Sequence, residues 1–209
     1  MKILIVDDHV LIRRGMISLL SGQYQGLQIG EAADAREGLD AVTKNLWDLV
    51  IVDISMPGRN GLELIQEIKR EKPNLPVLVV SAHSEKDYAL RAFKLGASGY
   101  VSKQSAPDVL VTAVERLLSG RRYVSQDMAE QLAGAVSGNA PTDSHAALSN
   151  RELEVLKLIA SGRTIKEISG MLALSVKTVA TYRSRIAEKM GLCSNVELTR
   201  YAMTHDLVD

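Results

Sequence analysis

Ile3-Leu4-Ile5-Val6-Asp7-Asp8 opens the chain, and its reading decides the fold: four consecutive apolar residues run straight into two acids. A run apolar at every position suits a strand buried on both faces, as in a parallel sheet, and the acids mark its carboxyl end. The pattern returns in Leu49-Val50-Ile51-Val52-Asp53 and Val77-Leu78-Val79-Val80-Ser81, with weaker runs at Leu27 to Gly30 and Gly99 to Val101. Between the runs lie segments of helical period over Val10 to Leu20, Gly61 to Arg70 and Glu85 to Leu95. A further one pairs Val109/Leu110, Ala113/Val114 and Leu117/Leu118, with Pro107 in its first turn and Gly120 just past its end. Five such βα units predict an open, doubly wound parallel sheet with helices on both sides.

In a flavodoxin-like sheet of order 2-1-3-4-5, the first and third strands are neighbours, and ligands bind outside their carboxyl ends. Asp7, Asp8 and Asp53 then converge. Three carboxylates in one place call for a counter-ion, and a hard, oxygen-seeking Mg²⁺ is the natural one. The same cleft receives the ends of the fourth and fifth strands, Ser81-Ala82 and Ser102-Lys103. An ammonium and a hydroxyl facing carboxylate-bound Mg²⁺ suit a phosphoryl group, because its transfer depends mostly on positioning and charge stabilisation. Asp53 is the expected nucleophile.

The second half of the chain has no strand-like run. From Gly120 to Ala147 the apolar period fades into small residues, and a linker is expected over 121–146, with room for a short helix around 126–133. Four helix starts follow in 147–209. Ser149-Asn150-Arg151-Glu152, Thr164-Ile165-Lys166-Glu167 and Ser194-Asn195-Val196-Glu197 are capping boxes, Ser175 caps the remaining helix, and Gly162 and Gly191 supply stops. The segments Thr164 to Leu172 and Ser175 to Met190 have the spacing of a helix-turn-helix, whose second helix enters the major groove of DNA. Val179, Ile186 and Met190 make the inward stripe of that helix. Lys177, Thr178, Thr181, Tyr182, Arg183, Ser184, Arg185 and Lys189 cover the rest, with Thr164 and Lys166 at the start of the helix before it. Such residues read phosphates and base edges.

Composition bounds the function classes. The 209 residues are 46% hydrophobic and 24% charged with 5 Pro, which describes globular rather than disordered sequence. No apolar run approaches the roughly 20 residues of a membrane span. The N-terminal run is too short for a signal-peptide core. The lone Cys193 cannot form an internal disulfide, so a cytoplasmic location is expected. Net charge is zero, which removes any argument for nucleic acid from bulk basicity. The case rests instead on Lys177, Arg183, Arg185 and Lys189 clustering with only Glu188 against them.

Val6-Asp7-Asp8-His9, Asp53-Ile54-Ser55-Met56-Pro57-Gly58, Ser81-Ala82 and Gly96-Ala97-Ser98-Gly99-Tyr100-Val101-Ser102-Lys103 resemble the receiver domain of two-component response regulators over 1–120. The resemblance implies a sensor histidine kinase as phosphoryl donor and Asp53 as acceptor. It implies Mg²⁺ held by Asp7, Asp8, Asp53 and the Ser55 carbonyl, Ser81 and Tyr100 as switch residues, and Lys103 as the charge that binds the phosphoryl group. Gln104 departs from the pattern, standing where many receivers have a proline after a cis peptide. Leu148 to Leu156, Lys166-Glu167-Ile168, Thr178-Val179, Ile186 and Lys189-Met190 resemble the LuxR-type helix-turn-helix, and the two domains together resemble the NarL/FixJ family. Ala180, Tyr182 and Ile165 stand where that family often has Lys, His and Asn. The helix from Asn195 to Thr204 matches the segment on which relatives often dimerise and serves equally to close a small core; double-stranded DNA as partner and a homodimer on phosphorylation or on DNA binding are implied.

Two rival functions make distinct demands. An aspartyl-phosphate phosphatase of the haloacid dehalogenase type resembles this sheet but needs a second acid two residues after its nucleophile, where this chain has Ser55. A phosphorylation-independent DNA-binding protein or adaptor would not need the full set Asp7, Asp8, Asp53, Ser81 and Lys103. The sequence therefore points to a regulator that catalyses only its own phosphoryl transfer and slow loss.

Overall fold

The computed structural model describes residues 1–56, 60–82, 85–105, 107–126, 128–130, 144–205 and 207–208. It divides into two compact units, Met1–Asn139 and Ala140–Asp209. The first alternates β1 (Lys2–Val6), α1 (Val10–Gln23), β2 (Gln28–Ala32), α2 (Ala35–Lys44), β3 (Leu49–Val52), α3 (Gly61–Glu71), β4 (Val77–Ser81), α4 (Glu85–Lys94), β5 (Gly99–Ser102) and α5 (Pro107–Leu118). All pairings are parallel, as the apolar runs predict, and the order β2-β1-β3-β4-β5 is the expected flavodoxin-like one.

Alternation along the strands sorts side chains to the two faces. Ile3, Ile5, Leu49, Ile51, Leu78, Val80 and Val101 pack with Met16 and Leu20 of α1 and with Leu110, Ala113, Val114 and Leu117 of α5. Leu4, Val6, Val50, Val52, Val77 and Val79 are equally buried on the opposite face. Burial of each such side chain is worth roughly 1.5–3 kcal/mol, which is why the central strands tolerate no polar residue until they end. Register makes them end level: Val6 is opposite Val52, and Ser81 is opposite Ser102.

The first unit continues past 120, where a linker was expected to begin. Gly120, at φ +75, does stop α5, but Tyr123 then forms a parallel bridge with Gly99 and donates its N–H to Ser98 O at 3.0 Å. Gly99 leaves room for this: a Cβ there would lie 3.1 Å from both Tyr123 Cβ and Leu78 Cδ1. Ser125 next opens a helical turn by accepting the Met128 N–H, with Met128 buried. Helix is present at 126 and 128–130, and the rest of the expected 126–133 helix lies outside the described residues.

The second unit holds a 3₁₀ turn (Ser144–Ala147), α6 (Asn150–Ala160), α7 (Ile165–Met171), α8 (Val176–Met190) and α9 (Asn195–Thr204). All three capping boxes form, and Ser175 accepts the Thr178 N–H. Val179, Ile186 and Met190 are buried on α8, as are Leu153, Leu156, Ile168 and Leu198 on the neighbouring helices, and together they form a small core. Glu152 is buried within this unit, yet it is doubly bound: Lys189 Nζ donates at 2.6 Å and the Ser149 N–H at 2.7 Å.

Burial alone would raise the Glu152 pKa, but the hydrogen bonds from Lys189 and Ser149 and the Lys189 charge outweigh it, so the group sits below the ordinary Glu value. A depressed carboxylate stabilises the fold above its unfolded pKa, about 4.3, and that contribution is lost as pH falls through the lower folded value. Glu152→Gln is therefore expected to cost roughly 1–3 kcal/mol at pH 7 and to flatten the acid-side loss of helical stability. Urea unfolding followed by circular dichroism between pH 7 and 3 checks it.

Candidate functional site

The ladder runs one residue beyond each strand: the Asp7 N–H donates to Ala32 O, Asp53 to Val6 O and Lys103 to Ser81 O. These bonds set the directions of the side chains that follow the apolar runs. Asp7, Asp53 and Ser81 are fully buried at the carboxyl edge. Lys103 bridges two of the acids, with Nζ 2.6 Å from Asp53 Oδ2 and 2.8 Å from Asp7 Oδ2. The other Asp53 oxygen, Oδ1, accepts the Ser55 N–H at 3.2 Å.

His9 closes the other side. Its N–H donates to Asp7 Oδ1 at 2.7 Å, and its ring Nδ1 lies 2.9 Å from Asp8 Oδ1. One ligand atom each from Asp7, Asp8, His9 and Asp53 fits within a sphere of mutual distances below 4.8 Å. Burial raises the Asp53 pKa; the hydrogen bond and charge of Lys103 pull it down and the Asp7 charge pushes it up, leaving it above the ordinary value. Burial works against the Lys103 charge, but hydrogen bonds and charges from Asp53 and Asp7 prevail and raise its pKa. One ammonium among three carboxylates leaves a negative excess. Asp7 Oδ2 meets the Lys103 ammonium at 2.8 Å and Asp8 Oδ1 the His9 ring at 2.9 Å, and neither oxygen has a further hydrogen-bond partner among the described residues. Such a hard oxygen set fits Mg²⁺.

Gly61 is the unseen partner of this site. It starts α3 directly against the end of β3: its N–H donates to Ile54 O, and a Cβ there would lie 2.0 Å from Asp53 O and 2.8 Å from Ile54 Cα. Arg13 is another residue the sequence reading passed over. From α1 it donates Nη1 to Asp7 O at 2.6 Å and Nε to Glu31 Oε2 at 2.8 Å. His9 belongs to the Val6-Asp7-Asp8-His9 motif, but only its spatial neighbours reveal a role. Tyr100 is buried on β5, one residue past the Gly99 bridge. No peptide bond among the described residues is cis, so the Lys103–Gln104 peptide is trans, and the Gln104 N–H is taken by Ser102 Oγ. Residues 57–59, between β3 and α3, lie outside the described residues.

On α8 the residues expected to touch DNA separate into two groups. Lys177, Thr181, Ser184 and Arg185 are exposed and Tyr182 is half-buried. The others hold the domain together. Lys189 is bound to Glu152, and Arg183 donates to Asn195 Oδ1 and Cys193 O, both at 3.1 Å. Thr178 bonds Ser175, and the Thr164 hydroxyl serves its own capping box. Lys166 is exposed on α7.

A lysine-bridged acid cluster at the end of a 2-1-3-4-5 sheet makes the first unit a phosphoryl-accepting signalling domain, and the second carries a helix-turn-helix. Family models agree on both: a response regulator receiver domain matches residues 3–115, and the LuxR family of bacterial regulatory proteins matches residues 146–202. The chain is 36% identical over 208 residues to the response regulator UvrY of Escherichia coli K12, covering 99% of this chain and 95% of the relative. It is 38% identical over 213 aligned positions to the response regulator GacA of Pseudomonas aeruginosa, covering 100% and 98%. Among solved structures it is similar to RcsB of Salmonella enterica bound to the promoter rprA with a phosphomimetic, at TM-score 0.65 and 28% identity over 98% of this chain and 99% of that one. The chain belongs to the NarL/FixJ family of two-component response regulators: a phosphorylation-switched receiver joined to a LuxR-type DNA-binding domain that regulates transcription.

Proposed function

We propose that Asp53 is the phosphoryl acceptor, that Mg²⁺ is held by Asp7, Asp8, Asp53 and the Ser55 carbonyl, and that Lys103 receives the charge of the transferred group. The observation that carries this is the Lys103 ammonium set between Asp53 and Asp7 at 2.6 and 2.8 Å. An ammonium so placed neutralises two carboxylates before transfer and is in reach of a phosphoryl oxygen after it. The cation, when bound, supplies charge neutralisation of the entering group. Ser81, buried at the end of β4, and Tyr100, buried on β5, are the switch pair. A histidine kinase is the donor. Its approach is favoured by an apolar groove of about 310 Å³ between α1 and α5, lined by Ile12, Met16, Pro107 and Leu110 together with Lys103. Beyond this self-directed transfer and the slow loss of the group to water, we assign the protein no catalysis, and a DNA target supports a cytoplasmic location. Intact-mass measurement after acetyl phosphate treatment tests the reading: one phosphoryl increment forms with Mg²⁺ and none forms after chelation.

We assign DNA contact to Lys166, Lys177, Thr181, Tyr182, Ser184 and Arg185. Thr164, Thr178, Arg183 and Lys189 serve first to fix the helices that present those residues. A phosphate-contacting cation contributes about 0.9 to the slope of log affinity against log salt. Arg185→Ala and Lys177→Ala are each expected to lower that slope by about this amount, while Lys189→Met lowers stability and leaves the slope unchanged. Filter binding over a salt series measures both. Exposed Val196 and Met203 on α9 support a homodimer on DNA, and two-fold symmetry then requires half-sites separated by about one helical turn or a multiple of it.

A further inference from the structure

We propose that Arg13 is a positioning residue of the acceptor site, one that fixes the Asp7 main chain so that its carboxylate is held for the divalent cation; this rests on the Mg²⁺ reading above. The last rung between β1 and β2 is the Asp7 N–H to Ala32 O, at 3.2 Å. The next N–H on that side, of Ala33, goes to Glu37 Oε2, and the Asp7 carbonyl is taken by Arg13 Nη1 at 2.6 Å. The guanidinium thus supplies a bond where the sheet ends. Asp7 is fixed at three further points, by the N–H of His9 on Oδ1, by Lys103 on Oδ2 and by its own ladder bond. Rotation of its peptide is the freedom that Arg13 removes.

Arginine suits this task because its planar fork serves two acceptors at once, here the Asp7 carbonyl and, through Nε, the Glu31 carboxylate on β2. The side chain is only 12% exposed. Glu31 balances its charge, so the guanidinium orients the site without adding a net positive field against a cation. Partners that orient metal ligands in this way typically cost 10- to 100-fold in metal affinity when removed.

The test is Mg²⁺ binding by titration calorimetry, with circular dichroism as a check of folding. The charge-balanced double variant Arg13→Met, Glu31→Gln is expected to weaken Mg²⁺ about 10-fold or more, and the Mg²⁺ needed for half-maximal phosphorylation by acetyl phosphate rises in step. Arg13→Lys, which keeps one donor, recovers part of the affinity. Unchanged Mg²⁺ affinity in a folded double variant overturns the proposal and leaves Arg13 a merely structural residue. Tighter Mg²⁺ in Arg13→Met alone also overturns it, since that is the signature of charge without positioning. Failure of the unaltered protein to bind Mg²⁺ at all is a different result, one that defeats the reading of the site itself.

Discussion

An Asp53→Asn chain will take up no phosphoryl group from acetyl phosphate in Mg²⁺ and will bind DNA equally well with and without the donor. The acceptor has to be a carboxylate oxygen, because an amide is neither nucleophilic nor able to form the acyl phosphate. The shape is kept. The amide oxygen can still accept from the Ser55 N–H, which now meets Asp53 Oδ1 at 3.2 Å. The amide nitrogen faces Lys103, so the ammonium is left with Asp7 as its partner. Burial holds the Asp53 pKa above the ordinary value, which means that ionisation of Asp53 opposes folding as pH rises through that value. In Mg²⁺-free buffer at pH 7, Asn is accordingly expected to leave thermal stability equal to that of the unaltered chain or higher. Intact mass, DNA affinity and a melting curve report the three effects separately.

Gly61→Ala should give the largest loss of stability. An added Cβ would lie 2.0 Å from Asp53 O and 2.8 Å from Ile54 Cα, both backbone atoms, and the Asp53 N–H is held by Val6 O in the sheet's last rung. No flexible side chain can give way. Overpacking of this kind costs typically 1–3 kcal/mol and more against rigid backbone, so a loss of roughly 2–4 kcal/mol is expected. The same displacement moves Asp53, and the rate of phosphorylation should fall about 10-fold or more, a change worth only about 1.4 kcal/mol in the barrier. Gly22→Ala in α1 is the contrast. With nothing within 4 Å of its Cβ, it should stabilise by about 0.4–1 kcal/mol. Urea unfolding of the two variants decides whether the cost lies in the contact or in the residue type.

How much of this was legible in sequence follows from where the information sits. A run such as Ile3 to Val6 ending in Asp7 encodes both a buried parallel strand and the acid at its end, so once the flavodoxin-like order is adopted the acid cluster follows from the same few residues. The three capping boxes are equally local, and each formed where it was read. Long-range pairs are not local. Lys189 looks like one more cation on a basic helix, because the glutamate that claims it lies 37 residues away. Arg13 is an ordinary charged residue of an amphipathic helix until the end of β1 is placed beneath it. The chain after Gly120 reads as linker because Tyr123-Val124 is too short to signal a strand, yet a single bridge to Gly99 keeps it with the sheet.

The central claim is that a phosphoryl group on the receiver controls DNA binding, and the most direct measurement is selection of bound genomic fragments at one fixed salt concentration. The unaltered protein is used in Mg²⁺ with and without acetyl phosphate. Salt has to be held constant because phosphate contacts make affinity steeply salt-dependent. Discrete fragments enriched only with the donor are the predicted result. The same fragments enriched equally in both conditions would contradict the account, leaving α8 a reader of DNA that the acid cluster does not govern.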